Sequence, residues 1–183
     1  MNLENWFEKG MSSEEYIQAM EKHKENLHLV LNEFEVPEGN EDFFTKLKEE
    51  KLRVIVLTED WCGDAMLNVP ILLKLAEKTD MEVRMLLRDQ NLELMDQYLT
   101  NGTSRAIPIF IFIDQEGNER AVWGPRAETV QQFVDEQRAQ LPDKEDPSFA
   151  DKQKEMIGAM VEKYTQDKSV WNEVLESLKK RLQ

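Results

Sequence analysis

The chain has 183 residues, with 23 Lys and Arg against 37 Asp and Glu, and a formal net charge of −14 at pH 7. That length buries a core without covalent staples, the single cysteine excludes an intramolecular disulfide, and the acidity repels phosphate backbones and anionic lipid surfaces, so neither nucleic acid nor membrane is an expected partner. No apolar run approaches the roughly 20 residues needed to cross a bilayer, and no apolar segment follows the charged start Met1-Asn2-Leu3-Glu4, so the expected location is the cytoplasm.

The first element signal is Ser12-Ser13-Glu14-Glu15. It has capping-box spacing and opens a predicted helix with apolar Ile17, Met20, Leu27, Val30, Leu31 and Phe34. Val36-Pro37-Glu38-Gly39 ends it. A short helix from Asn40 places Phe43, Phe44 and Leu47 on one face. Arg53-Val54-Ile55-Val56-Leu57 reads as a buried strand, 66–78 as a helix, and Glu82-Val83-Arg84-Met85-Leu86-Leu87 as a second strand. A helix over 92–99 and strands over 109–113 and 119–123 follow. Asp114-Gln115-Glu116-Gly117-Asn118 turns between these last two strands as a hairpin. A helix over 128–141, with Val130, Phe133, Val134 and Gln137 on one face, closes the unit.

That order is βαβ-α-ββα. A helix between the first two strands requires them to be parallel, whereas the Gly117 turn joins antiparallel strands, so the sheet is mixed and the class is α/β. Pro142-Asp143-Lys144-Glu145-Asp146-Pro147 is a polar break. Beyond it lie two amphipathic stretches: Phe149, Met156, Met160, Val161 and Tyr164, then Trp171, Val174, Leu175, Leu178 and Leu182. Such faces must be buried, on the chain's own core or against a partner, and packing on the core is the first expectation. The organisation read from this is an N-terminal helical extension over 1–50, a central domain over 51–141 and a C-terminal helical extension over 142–183.

Trp61-Cys62-Gly63-Asp64-Ala65 places the only cysteine at a strand-to-helix corner. There the unpaired backbone N–H groups and the positive end of the helix dipole favour thiolate over thiol. Residues 59–70 resemble the active-site stretch of the thioredoxin family. Pro70 matches the proline that kinks the family's active-site helix, and Ile107-Pro108 matches its cis-proline. Arg105 and Gly124 also fall where the family often places an Arg and a Gly. The resemblance spans about 54–141 and implies a thioredoxin-like fold. In such proteins the residue before the cis-proline pairs its backbone with an extended substrate. Carried over, Cys62 is the catalytic residue, Trp61, Gly63, Asp64, Ile107, Pro108 and Gly124 form the substrate-binding rim, and Arg105 is the electrostatic candidate.

Two departures bear on activity. Ala65 replaces the second cysteine, which in the dithiol enzymes resolves the mixed disulfide, and Val56 stands where thioredoxins commonly bury an acid. Asp64 suits the helix dipole but repels a thiolate, and Glu59 and Asp60 add negative charge. The first expectation is therefore a monothiol protein, with Cys62 exchanging with protein thiols, disulfides or a low-molecular-weight thiol while an external thiol resolves. The alternative is a redox-inert protein-binding module of the same fold, and a third reading is an oxidant sensor that dimerises through Cys62. No cofactor is implied. His23 and His28 lack the i, i+4 spacing of a metal pair, so no metal is assigned. Asn101-Gly102-Thr103 reads as a turn, and Trp6, Trp123 and Trp171 as core or rim aromatics. Trp123-Gly124-Pro125-Arg126 is placed to line the groove beside Cys62.

Overall fold

The computed structural model covers residues 1–183. Two strands form its centre, β2 (Arg53–Thr58) and β4 (Ile109–Ile113), and nearly every residue in them is buried. Strands covered on both faces read as unbroken apolar runs, which is why both were legible. β2 pairs parallel with β3 (Glu82–Leu87) and antiparallel with β4, and β4 pairs antiparallel with β5 (Glu119–Trp123). A two-residue strand, β1 (Met11–Ser12), pairs with Met85 and Arg84 of β3, which gives the order β1-β3-β2-β4-β5. The sheet is mixed, as expected.

The N-terminal region departs from expectation. An unexpected short helix, α1 (Glu4–Lys9), precedes β1, and in place of one helix running from Ser12 to Phe34 there are two, α2 (Ser13–Ala19) and α3 (Lys24–Glu33). The capping box forms, with Ser12 Oγ accepting from the Glu15 N–H and Glu15 Oε2 accepting from the Ser12 N–H. The break between α2 and α3 is held by Asp60, whose carboxylate accepts from the Glu21 and Lys22 N–H groups at 2.8 and 3.2 Å, and by His23 in the left-handed region at φ 57°. These exposed donors find their acceptor on another part of the chain.

α4 (Glu41–Glu49) precedes β2, and α5 (Gly63–Thr79) crosses from β2 to β3 with Pro70 inside it. The helix expected over 92–99 is a single turn, α6 (Leu92–Met95), preceded by a 3₁₀ turn over Arg88–Gln90. α7 (Glu128–Ala139), α8 (Phe149–Gln166) and α9 (Lys168–Leu182) complete the chain.

One hydrophobic core runs from Leu3 to Leu178. α9 buries Val170, Trp171, Val174, Leu175 and Leu178 against α5, α7 and β5. At about 1.5–3 kcal/mol for each large apolar side chain, that face makes α9 part of the core. Trp171 fixes it further by donating to the Tyr164 carbonyl at 2.7 Å and packing edge-on to Phe34. α8 behaves differently: only Tyr164 and Thr165, in its last turn, are buried. In its first three turns Phe149 and Met156 are half-buried and Ile157 is exposed.

Candidate functional site

Cys62 is the N-cap of α5, and its Sγ accepts from the Ala65 N–H at 3.4 Å. The Ile107–Pro108 peptide bond is cis, and the Ile107 carbonyl takes a hydrogen bond from the thiol at 3.4 Å. Thiol, helix terminus and cis-proline therefore meet at one point, with Cys62 8% exposed and Ile107 4%. Burial pushes the Cys62 thiol up to about 11, the Asp64 carboxylate adds to that, and the Ala65 and Asp64 N–H groups and Arg126 only partly oppose it. The helix terminus is outweighed by the loss of water. Ile107, whose carbonyl the resemblance assigns to a substrate backbone, spends that acceptor on the thiol.

Asp64 faces inward from the first turn of α5. Its two oxygens accept from Arg126 Nε and Nη2 at 2.9 and 2.7 Å, and Oδ1 also accepts from the Tyr164 hydroxyl at 2.8 Å. Both side chains of the ion pair are about one-tenth exposed, and Arg126 Nη1 donates to Gln131 Oε1. Burial alone would lower the Arg126 guanidinium, but Asp64 overcomes it and leaves it raised, and burial beside Asp64 drives the Tyr164 hydroxyl upward. This buried knot ties the thiol loop to the β5–α7 turn and to α8. From the same turn the Pro125 carbonyl accepts from Asn68 Nδ2, further along α5.

Arg105 lies elsewhere. Its guanidinium is held by Asp96 at 2.7 and 3.0 Å on an exposed surface, and the cation acting on Cys62 is Arg126. The two acids before Trp61 are also occupied, Glu59 by the Asp89 N–H and Asp60 by the break after α2. Gly63 begins α5, and Trp61 stands 43% exposed with the Arg88 guanidinium 4.9 Å from its ring centre. Gly124, at φ 134°, is pressed against Pro108, where an added Cβ would run into the Pro108 carbonyl oxygen. No three His, Cys, Asp or Glu side chains converge as metal ligands, and no helix is long and apolar enough to cross a membrane.

Cys62, Trp61, Gly63 and Asp64 line one end of an open cavity of about 680 Å³. Its other walls include the α7–α8 connection and the apolar face of α8, among them Leu141, Phe149, Met156, Ile157 and Met160. Ile107, Pro108 and Gly124 are not among its walls. Sequence reasoning missed Tyr164 and the α8 wall as parts of the site. The signal available was the apolar face of α8, which was assigned to the core.

A mixed sheet with the β2–α5 corner thiol facing a cis-proline defines a protein of the thioredoxin fold. The sequence model of the thioredoxin family matches residues 10–140, and the chain belongs to that family. The match begins earlier than the segment that carried the resemblance, taking in β1 and the helices α2, α3 and α4. Among solved structures, the chain is similar to a Pseudomonas aeruginosa protein of unknown function, with 15% identity over 98% of both chains and a TM-score of 0.63. It is also similar to an HIV epitope scaffold, with 15% identity over 98% of this chain and 99% of that one and a TM-score of 0.61. These likenesses cover the terminal helices as well as the central sheet. No curated protein matches the sequence.

Proposed function

We propose that this family member is a binding module whose working surface is the cavity beside Cys62, with the thiol itself protonated and unreactive in the resting protein. The observation that carries the reading is the use of the thiol hydrogen: Cys62 donates it to the Ile107 carbonyl inside a buried site. A thiolate would lose that bond and place its charge beside the Asp64 carboxylate. Ala65, which cannot resolve a mixed disulfide, supports the same reading, as does Val56, which has no acid to move a proton.

A second reading, monothiol exchange with an external thiol or a protein disulfide, is favoured by the place of Cys62 on the wall of an open cavity. The pH dependence of Cys62 alkylation separates the two, because the chain has one cysteine and the signal has one source. The binding module predicts slow alkylation at neutral pH and a rate that keeps rising toward pH 11. A thiolate forming below the ordinary cysteine value of about 8.5 would overturn it and establish the monothiol reading. A cytoplasmic location fits either.

A further inference from the structure

The cavity beside Cys62 differs in character from the rest of the surface. The chain carries −14 overall, yet the cavity is rimmed by His23, Arg138 and Lys144. Arg126 is neutralised by Asp64. Arg138 and Lys144 make no ion pair anywhere in the structure, and the one other carboxylate on the walls is Asp143. Inside the rim apolar walls are broken by Gln153 and by the Asp64–Arg126–Tyr164 knot. Met156 and Met160 stand one turn apart on α8, Phe149 lies at the start of the helix, and Trp61 faces them from the thiol loop. Ile157 is 51% exposed and Trp61 43%, large apolar surfaces left in water. A volume of about 680 Å³ with apolar walls and a few convergent polar groups is of small-molecule size, and methionine walls adapt to flexible apolar chains.

We propose that this cavity binds a small amphipathic anion, an apolar chain or ring system ending in a carboxylate. The apolar body lies along Met156, Ile157 and Met160, and the carboxylate reaches Arg138 and Lys144. The inference rests on the binding-module reading and names the ligand class of that same site. Charge complementarity selects the anion. A local pair of free cations is the feature that a ligand repelled by the protein as a whole would need.

The test is isothermal titration of the full-length protein with dodecanoate and with dodecyltrimethylammonium, both kept below micelle formation. The net charge of the protein favours the cation, so a preference for the carboxylate reports the local cations. The expected result is saturable binding of dodecanoate, at least about tenfold tighter than the cation, with Cys62 alkylation slowed when the cavity is filled. Ile157→Asp, on an exposed position, should weaken dodecanoate binding by about tenfold or more, and the pair Arg138→Glu and Lys144→Glu should abolish or reverse the charge preference. Absence of saturable binding, equal binding of both amphiphiles, or binding unchanged in Ile157→Asp would each overturn the ligand class. A low thiolate pKa for Cys62 would instead overturn the reading beneath it, so the two failures are distinguishable.

Discussion

Replacing Arg126 by Met removes the cation from the buried knot and leaves the Asp64 carboxylate with the Tyr164 hydroxyl as its remaining side-chain donor. The lost interaction is a two-pronged pair at 2.9 and 2.7 Å between side chains about one-tenth exposed. Stranding one member of a buried pair costs about 3–5 kcal/mol. The retained Tyr164 bond and the exposed edge of the knot put the expected loss at the lower end, about 3 kcal/mol. For a chain of this size that corresponds to a fall in melting temperature of about 6–12 °C. Arg105→Met is the matched control, because its pair with Asp96 has the same chemistry but side chains nearly half exposed. Its loss should stay within about 1 kcal/mol. Urea denaturation of both variants, read as midpoint at constant slope, gives the comparison. The double variant Asp64→Asn with Arg126→Met should recover part of the loss, since it no longer buries an unpaired charge. If Arg126→Met cost no more than Arg105→Met, the claim that this knot fixes the thiol loop would be wrong.

Two further outcomes follow from the same geometry. The Cys62 thiol is raised in the folded state, so the stability it lends is fully present below the unfolded cysteine value of about 8.5 and is lost as pH rises toward about 11. Cys62→Ala should therefore lose less stability than the parent across that window, by about 2–3 kcal/mol. Parallel alkaline profiles would refute this. Gly124→Ala forces a side chain at φ 134° into the Pro108 carbonyl and should cost about 3 kcal/mol or more, while Gly63→Ala, where an added Cβ meets nothing, should be tolerated. Thermal melts of the two alanine variants compare them directly.

The strands were legible because their residues carry the information locally. Val54 to Leu57 and Ile109 to Ile113 are buried on both faces, and the Gly117 hairpin announces its own turn. The thiol corner was legible for the same reason, since a strand, a short polar link and a helix follow one another directly. What was not legible depends on partners far along the chain. β1 is two residues long and exists because β3 offers it an edge. The break after α2 is satisfied by Asp60, some forty residues on. Asp64 reads as an exposed first-turn acid until Arg126 and Tyr164 reach it, and nothing between those positions signals the meeting. The periodicity of α8 was visible, but periodicity marks an apolar face without saying whether protein or ligand covers it.

The bond from Tyr164 to Asp64 spans 100 residues, and the helix that braces it, α9, ends at Leu182. During synthesis the thiol corner and all five strands leave the ribosome well before either arrives. The sheet can pair while the chain is still growing, but Asp64 lacks its Tyr164 donor, and the flank of α5 that α9 covers stays bare, until those helices have emerged. Contacts of such long sequence separation form slowly. The nascent chain therefore passes through an interval in which the sheet and the thiol corner exist without the knot that ties them to α8.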